Sequence, residues 1–379
     1  MRIAVIGGGI NGAGIAWELA RKDYDVVLFD QGAFGGQTSS ATTKMIHGGL
    51  RYLEHLHFAL VQESLQERAW LLAKLPELVK PLEILMPLYG DSPRGRTMVA
   101  MGLTIYDLLA GRQNIARHRP ITPARMLERA PIVSDDLRAG FSYWDAQVDD
   151  YALVRAVVAS AQREGTTARE FTKVTAMRRE GKAWRLGTTS GEERFDLVVN
   201  AAGPWMNELL RSNGIDARYV LSLVRGSHLV LRQRVADAGL LLQSISDRRV
   251  FFVLPWKGTT IVGTTEVLQR EVGGRVDATR QEIDYLLSRF NRYMRDPIGE
   301  GDVASTFSGV RPLVGRASNP SAIGRDYRVL RDDNVINVFG GKMTTFMSLG
   351  RKVGLRVDNY FGHTRNAREP RFAAIESAP

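Results

Sequence analysis

The 379-residue chain contains no cysteine. That absence excludes disulfides, thiolate metal sites, cysteine-held iron–sulfur clusters and thiol relays, so any electron entering this protein must leave by another route. No metal is expected. Long apolar runs are also missing. The longest, Met98-Val-Ala-Met-Gly-Leu-Thr-Ile-Tyr106 with its continuation Asp107-Leu-Leu-Ala110, is too short and too interrupted to span a bilayer. It reads either as a buried helix or, because Arg94, Arg96, Arg112, Arg117 and Arg119 flank it, as a monotopic contact with anionic headgroups. The first strand opens at Arg2, which leaves no room for an uncleaved export signal and points to the cytoplasm, with a peripheral place on the inner face of its membrane as the further option. No internal repeat and no long lysine or arginine tract occurs. The 51 basic residues are interspersed with 41 acidic ones. Their net charge of +10 suits an anionic substrate, a membrane surface or nucleic acid, but without a recognisable RNA-binding motif nucleic acid is not expected.

What is present begins at once. Arg2-Ile-Ala-Val-Ile6 is strand-like and runs into Gly7-Gly-Gly-Ile-Asn-Gly12 and a helical stretch, so that Gly7, Gly9 and Gly12 fit G-x-G-x-x-G. In this fingerprint the first glycine makes the tight turn, the second admits a pyrophosphate to the backbone, and the third lets helix and sheet pack closely. The phosphates sit at a helix N-terminus, where unpaired N–H groups favour negative charge. A second strand, Asp25-Val-Val-Leu-Phe29, ends in Asp30, about twenty residues on, where an acid binds the adenosine ribose. An adenine dinucleotide is the expected ligand. The fingerprint alone does not separate FAD from NAD.

Further along, Gln31 to Ser40 is rich in glycine and hydroxyls and reads as a loop. Leu60, Val61, Leu65, Ala69, Leu72 and Leu75 recur at helical spacing over 58–75. An Arg- and Met-bearing insertion from about 81 to 144 precedes a helix over 150–164. Strand signals follow at 171–177, 184–187 and 195–200, then at 220–231, 250–254 and 260–263, the last three predicting a sheet over the active site. A helix near 279–293, a strand ending at Arg311, and Val335-Ile-Asn-Val-Phe339 leading into Gly340-Gly-Lys-Met-Thr-Thr-Phe346 and a terminal helix complete the pattern. Residues 362–379 are polar and read as a flexible tail.

From Met1 to about Tyr360 the chain resembles the FAD-dependent glycerol-3-phosphate dehydrogenases, flavoproteins of the D-amino-acid-oxidase type. The segments that carry the resemblance are Gly7 to Ile15, Thr38-Ser-Ser40, Lys44-Met-Ile-His-Gly-Gly-Leu-Arg-Tyr-Leu-Glu54, Asp145-Ala-Gln-Val-Asp-Asp150, Asn200-Ala-Ala-Gly-Pro-Trp205, Arg225-Gly-Ser-His228, Val262-Gly-Thr-Thr-Glu266, Ser308-Gly-Val-Arg-Pro312 and Phe339-Gly-Gly-Lys-Met-Thr-Thr345. The resemblance implies FAD as cofactor. It also implies an α/β (α+β) fold: a Rossmann-like FAD-binding domain from 1–80, 145–215 and 300–361, with an inserted β-sheet substrate or cap domain from 81–144 and 216–299. The chain departs from the pattern at Asp30, Arg225 and Glu266, where Glu, Lys and Asp are usual. It also ends soon after the terminal helix, where the family carries a helical C-terminal domain.

The implied reaction is oxidation of sn-glycerol 3-phosphate to dihydroxyacetone phosphate by hydride transfer to flavin N5, with electrons passed to quinone or another acceptor. The alternative is a same-fold enzyme acting on another anionic alcohol or amine, such as a phosphonate, a 2-hydroxy acid or an amino acid. The resemblance implies catalytic work for His228, His47, Arg311 and Lys342; either histidine could be the base, with His228 the first choice and His47 for a flavin-side or substrate-orienting group. It assigns the small phosphorylated substrate to Arg51, Tyr52, Arg311, Lys342 and Thr265. Guanidinium suits a phosphate because its planar fork engages two oxygens. FAD is implied to contact Gly7, Gly9, Asn11, Gly12, Asp30, Gln31, Thr38, Ser39, Ser40, Lys44, His47, Gly48, Gly49, Leu50, Val174, Ala202, Gly203, Trp205, Arg311, Gly341, Lys342, Met343 and Thr344. A homodimer is compatible with the family.

Overall fold

The computed structural model describes residues 1–273, 277–315 and 327–373. A largely parallel sheet forms its first half, in the order Arg328–Asp332, Val335–Phe339, Leu197–Asn200, Arg2–Ile6, Asp25–Phe29 and Thr167–Arg169, with only the first pair antiparallel. Its central strands are nearly all apolar because both faces are covered. Ile3 and Val5 face the helices Ile10–Arg21, Asp150–Arg163 and Phe346–Phe361, while Ala4 and Ile6 face a small antiparallel sheet made of Val174–Glu180, Ala183–Thr188 and Gly191–Phe195. The alternation follows from the two-residue period of a strand. Gly12 allows the first helix to start against the sheet, since a Cβ there would lie 1.8 Å from the Gly7 carbonyl oxygen.

The insertion 81–144 and the later excursion do not make separate pieces. Val79–Tyr89 pairs with Leu137–Val148 along almost its whole length, and Gly239–Gln243 pairs with the first of these, so both excursions join one large sheet. Helices Phe58–Lys74 and Arg96–Ala110 pack on one face of it and Arg280–Tyr293 on the other. Thr279 and Glu282 form a reciprocal capping box that fixes the start of that last helix.

Several boundaries differ from expectation: the strand expected over 195–200 is divided, Phe195 closing Gly191–Phe195 and Leu197–Asn200 entering the parallel sheet, and two others show their cause. The strand predicted from Phe171 begins at Val174, because the amides of Phe171 and Thr172 donate to Gly32 and Asp30 in the loop after the second strand. The strand expected to end at Arg311 continues to Val314, held by register pairing with Leu221–Leu231.

The segment from 362 to 373 is laid on the protein rather than loose. Phe372 sits 4.8 Å from the Trp17 ring and 5.4 Å from that of Trp70, Ala373 N donates to Ser160 Oγ, and Arg21 and Arg163 donate to carbonyls of Arg368 and Phe372. Residues 374–379 of the expected tail lie outside the described residues. Trp17 is wholly buried in the first helix, so the strap seals the fingerprint helix from behind. Phe372→Ala should cost about 1–2 kcal/mol and lower Tm by a few degrees, because an aromatic contact on two indoles is lost. A thermal melt followed by circular dichroism checks this, and an unchanged Tm would mean the strap carries no load.

Candidate active site

A cavity of about 720 Å3 lies between the C-terminal edge of the parallel sheet and the large sheet. In open α/β folds this edge is where ligands bind. Its first end is built from the fingerprint. Asp30 Oδ2 accepts from Gly8 N at 2.6 Å and Oδ1 from Gly32 N at 2.8 Å, so the carboxylate braces the glycine turn while bordering the cavity. Burial pushes this carboxyl above the ordinary aspartate range, with Glu170 acting in the same direction and the two amides opposing it. Ser39 Oγ accepts from Ile10 N, and the first intrahelical bond is Ala13 N to Gly9 O. The Asn11 and Gly12 amides in that first turn therefore have no acceptor within the helix.

The second end joins the two halves of the chain. Asn11 Nδ2 donates to Gly340 O at 3.1 Å, and Asn11 Oδ1 is buried without a hydrogen-bond partner. Gly341 has φ +114°, and a Cβ there would fall 2.1 Å from the Asn11 side chain, so the turn before the final helix requires glycine. His47 N donates to Thr344 Oγ1 at 3.3 Å, which brings the 47–52 segment to the same place. The Lys342 ammonium lies 3.7 Å from the centre of the Tyr52 ring.

Of the residues expected at the site, Gly7, Gly9, Asn11, Asp30, Gln31, Thr38, Ser39, His47, Gly49, Leu50, Arg51, Tyr52, Val174, Ala202, Gly203, Trp205, Arg311, Gly341, Lys342, Met343 and Thr344 all border this one cavity. Six others do not. Gly12 packs against Gly7, and Gly48 N is turned inward to Tyr106 Oη at 2.8 Å. Ser40 Oγ donates to Gln37 O and borders a smaller neighbouring cavity. Lys44 is paired with Asp150 at 2.6 Å, a carboxylate that also accepts from Thr42, so it anchors the loop from beneath.

Thr265 belongs to a different buried cluster. Its hydroxyl donates to Glu282 Oε1, as does that of Ser227, and Arg225 pairs with the same carboxylate at 2.9 Å. Burial would raise the Glu282 carboxyl, but the Thr279 amide and the hydroxyls of Thr265, Ser227 and Thr279 outweigh it and hold the group below its usual range. His228 does not border the cavity either. It is fully buried, stacked on Phe307 at 4.6 Å, with Nε2 3.0 Å from Thr43 Oγ1. Burial, seconded by the Arg311 and Lys44 charges, holds the imidazole well below its ordinary range. His47, by contrast, borders the cavity.

Sequence reasoning missed what holds the 47–52 segment. Asp145 Oδ1 accepts from Arg68 Nη1 at 2.7 Å and Tyr106 Oη at 2.7 Å, and also from Gly48 N at 3.3 Å. Arg68 is wholly buried. Only the Asp145 motif signalled this node, since its two partners come from helices whose periodicity looks ordinary. Arg94, read as flanking a membrane contact, instead turns its guanidinium to Glu54 in the cavity wall.

Residues 2–353 match the family model described as FAD dependent oxidoreductase. The chain belongs to the FAD dependent oxidoreductase family. This flavoprotein is 37% identical over 371 residues to the D-erythritol 1-phosphate dehydrogenase of Brucella abortus, covering 94% of the chain and 73% of that relative. It is 35% identical to the glycerol-3-phosphate dehydrogenase of Pseudomonas tolaasii, covering 100% of the chain and 74% of the relative. Among solved structures, the glycerol-3-phosphate dehydrogenase of Bacillus halodurans complexed with FAD superposes with a TM-score of 0.75 at 23% identity, covering 97% of this chain and 66% of that one.

The protein is an oxidoreductase whose cofactor is FAD, and its residues fit that group. The unpartnered Asn11 oxygen, the first-turn amides and the glycine turn at 340–341 are the polar lining a dinucleotide and a flat ring need. Asp30→Ala removes the brace of the glycine turn and a charge-assisted acceptor together. Its FAD affinity should fall about tenfold to a hundredfold. The flavin-to-protein absorbance ratio after gel filtration measures this, and full retention would take Asp30 out of the cofactor site.

Proposed function

We propose that this flavoprotein oxidises the secondary hydroxyl of a small polyol phosphate to a ketone, with sn-glycerol 3-phosphate giving dihydroxyacetone phosphate as the simplest case. The observation that carries the reading is that one cavity has the dinucleotide fingerprint at one end and His47, Arg51, Arg311 and Lys342 around the remainder. The relatives named for glycerol 3-phosphate and D-erythritol 1-phosphate act on compounds that share a phosphate and a secondary alcohol. FAD, when bound, supplies the hydride acceptor.

The chain's own residues do the rest. Gly7, Gly9, Asn11, Asp30, Gln31, Thr38 and Ser39 hold the nucleotide arm, with Val174, Ala202, Gly203 and Trp205 along it. His47, Gly49, Leu50 and Gly341 to Thr344 frame the ring. Arg51 and Arg311 grip the phosphate, with Tyr52 keeping the Lys342 ammonium in place through its ring. His47 takes the hydroxyl proton, since this histidine borders the cavity and His228 does not. Thr43 borders the cavity, and its hydroxyl lies 3.0 Å from His228 Nε2.

The electron acceptor fits a quinone reached at a membrane surface. Among the described residues no helix is long and apolar enough to cross a membrane. Helix Arg96–Ala110 lines the cavity with Met98, Met101 and Ile105, and around it Leu108 is 74% exposed and Leu56 72% exposed. Such a basic-flanked apolar patch suits anionic lipid.

Anaerobic addition of glycerol 3-phosphate to the FAD-loaded protein should bleach the oxidised flavin band. Preference for a carboxylate substrate over every phosphate would defeat the reading. Arg311→Met keeps bulk and deletes the fork, so KM should rise about a hundredfold with FAD content unchanged. Unaltered kinetics in that variant would remove Arg311 from the phosphate site. The protein should also sediment with anionic vesicles at low salt and lose this with Leu56→Asp or Leu108→Asp. Failure to sediment at any ionic strength would end the membrane assignment.

A further inference from the structure

We propose that Thr264 and Gly226 are positioning residues for Arg311, the first holding its guanidinium by a hydrogen bond and the second leaving the space in which it lies, so that the fork meets the substrate phosphate already aligned. This rests on the reading of Arg311 as a phosphate-gripping group and adds to it how that group is aimed.

The space is made on the strand beside Arg311. Strands Leu221–Leu231 and Val303–Val314 run antiparallel, with Val224 opposite Arg311 and Gly226 opposite Gly309. Side chains alternate between the two faces of a strand. Arg225 and Ser227 turn to Glu282 on helix Arg280–Tyr293, which puts Val224, Gly226 and His228 on the opposite face. The Arg311 guanidinium lies across Gly226 there. A Cβ at that position would fall 2.5 Å from Arg311 Nη2, 2.7 Å from its Cζ and 2.7 Å from Thr264 Oγ1. Gly226 sits within regular strand pairing, so clearance rather than an unusual backbone conformation calls for glycine.

The hydrogen bond comes from Thr264, just past strand Thr259–Gly263. Thr264 borders the cavity together with Arg311 and accepts from its Nη2 at 3.2 Å. Its own O–H donates to Thr265 O at 3.2 Å, which directs the hydroxyl hydrogen elsewhere and leaves a lone pair for the guanidinium. Thr264 O accepts from Arg249 Nη2 at 3.2 Å. The next residue is clamped. Thr265 N donates to Ser227 O at 3.2 Å, and Thr265 Oγ1 accepts from Ser227 N at 2.9 Å while donating to Glu282 Oε1 at 2.7 Å. Thr265, Ser227 and Glu282 are all buried. The cluster that keeps Thr265 away from the cavity thereby fixes its neighbour at the cavity. Arginine binds phosphate best through two parallel bonds from a planar fork, and a fork held before the ligand arrives loses less freedom when it binds.

The test measures kcat and KM for glycerol 3-phosphate, with a dye acceptor, in FAD-loaded protein carrying Thr264→Val, Thr264→Ser or Gly226→Ala, each alone and combined with Arg311→Met. Thr264→Val and Gly226→Ala should each raise KM about tenfold, with kcat in Thr264→Val changed less than about twofold. Thr264→Ser keeps the hydroxyl and should recover most of that loss. On the Arg311→Met background the same two substitutions should raise KM less than about twofold further, because residues that act through one group do not add. An equal factor on both backgrounds marks a merely structural role and overturns the inference. So does an unaltered KM in either variant with FAD retained, when Arg311→Met alone raises it; the reading of the site then stands. Inertness of glycerol 3-phosphate, or an unaltered KM in Arg311→Met alone, defeats the reading of Arg311 and this inference with it. If one variant loses its FAD, the variant at the other position decides.

Discussion

The geometry of the cavity depends on one buried carboxylate. Asp145 accepts from Arg68 and Tyr106 and, more weakly, from the Gly48 amide, so a strand of the large sheet, two helices and the 47–52 segment meet at one oxygen. Breaking a buried pair of this kind leaves an uncompensated charge and costs roughly 3–5 kcal/mol, far more than a surface ion pair supplies. His47, Arg51 and Tyr52 are carried by the segment that this node positions. Their placement is therefore a packing problem solved several residues away.

The remainder of the site is a meeting of chain ends. Asn11 reaches Gly340, and Thr344 exchanges hydrogen bonds with the His47 backbone, so the fingerprint, the loop and the final turn lock into one frame. Each contact joins backbone to a short side chain, which leaves little slack. The family to which the chain belongs uses FAD, and the frame has the unpaired polar atoms and glycine clearances that such a ligand fills.

The first thirty residues were legible because their signal is local: glycine spacing, a strand on either side and Asp30 at the end of the second. The helix 280–293 was legible for the same reason, with its cap written in Thr279 and Glu282. Less legible was chemistry without direction. The motifs around Thr265 and His228 carry hydroxyls and an imidazole whether they border a cavity or a buried neighbour, and only the structure shows Thr265 on Glu282 and His228 Nε2 beside Thr43. Pairs such as Arg94 with Glu54, forty residues apart, have no signature in either segment. The strap was missed because a polar, arginine-bearing composition hides the one aromatic ring, Phe372, that docks it.

That strap bears on biosynthesis. The first helix has Trp17 closed over by the Phe372 ring, and the strand Val335–Phe339 adjoins Leu197–Asn200 in the same sheet. A nascent polypeptide therefore cannot complete its nucleotide-binding half until Val335–Phe339 and Phe372 have left the ribosome. During that interval the apolar surface of Trp17 and Trp70 that Phe372 later covers stays open to water.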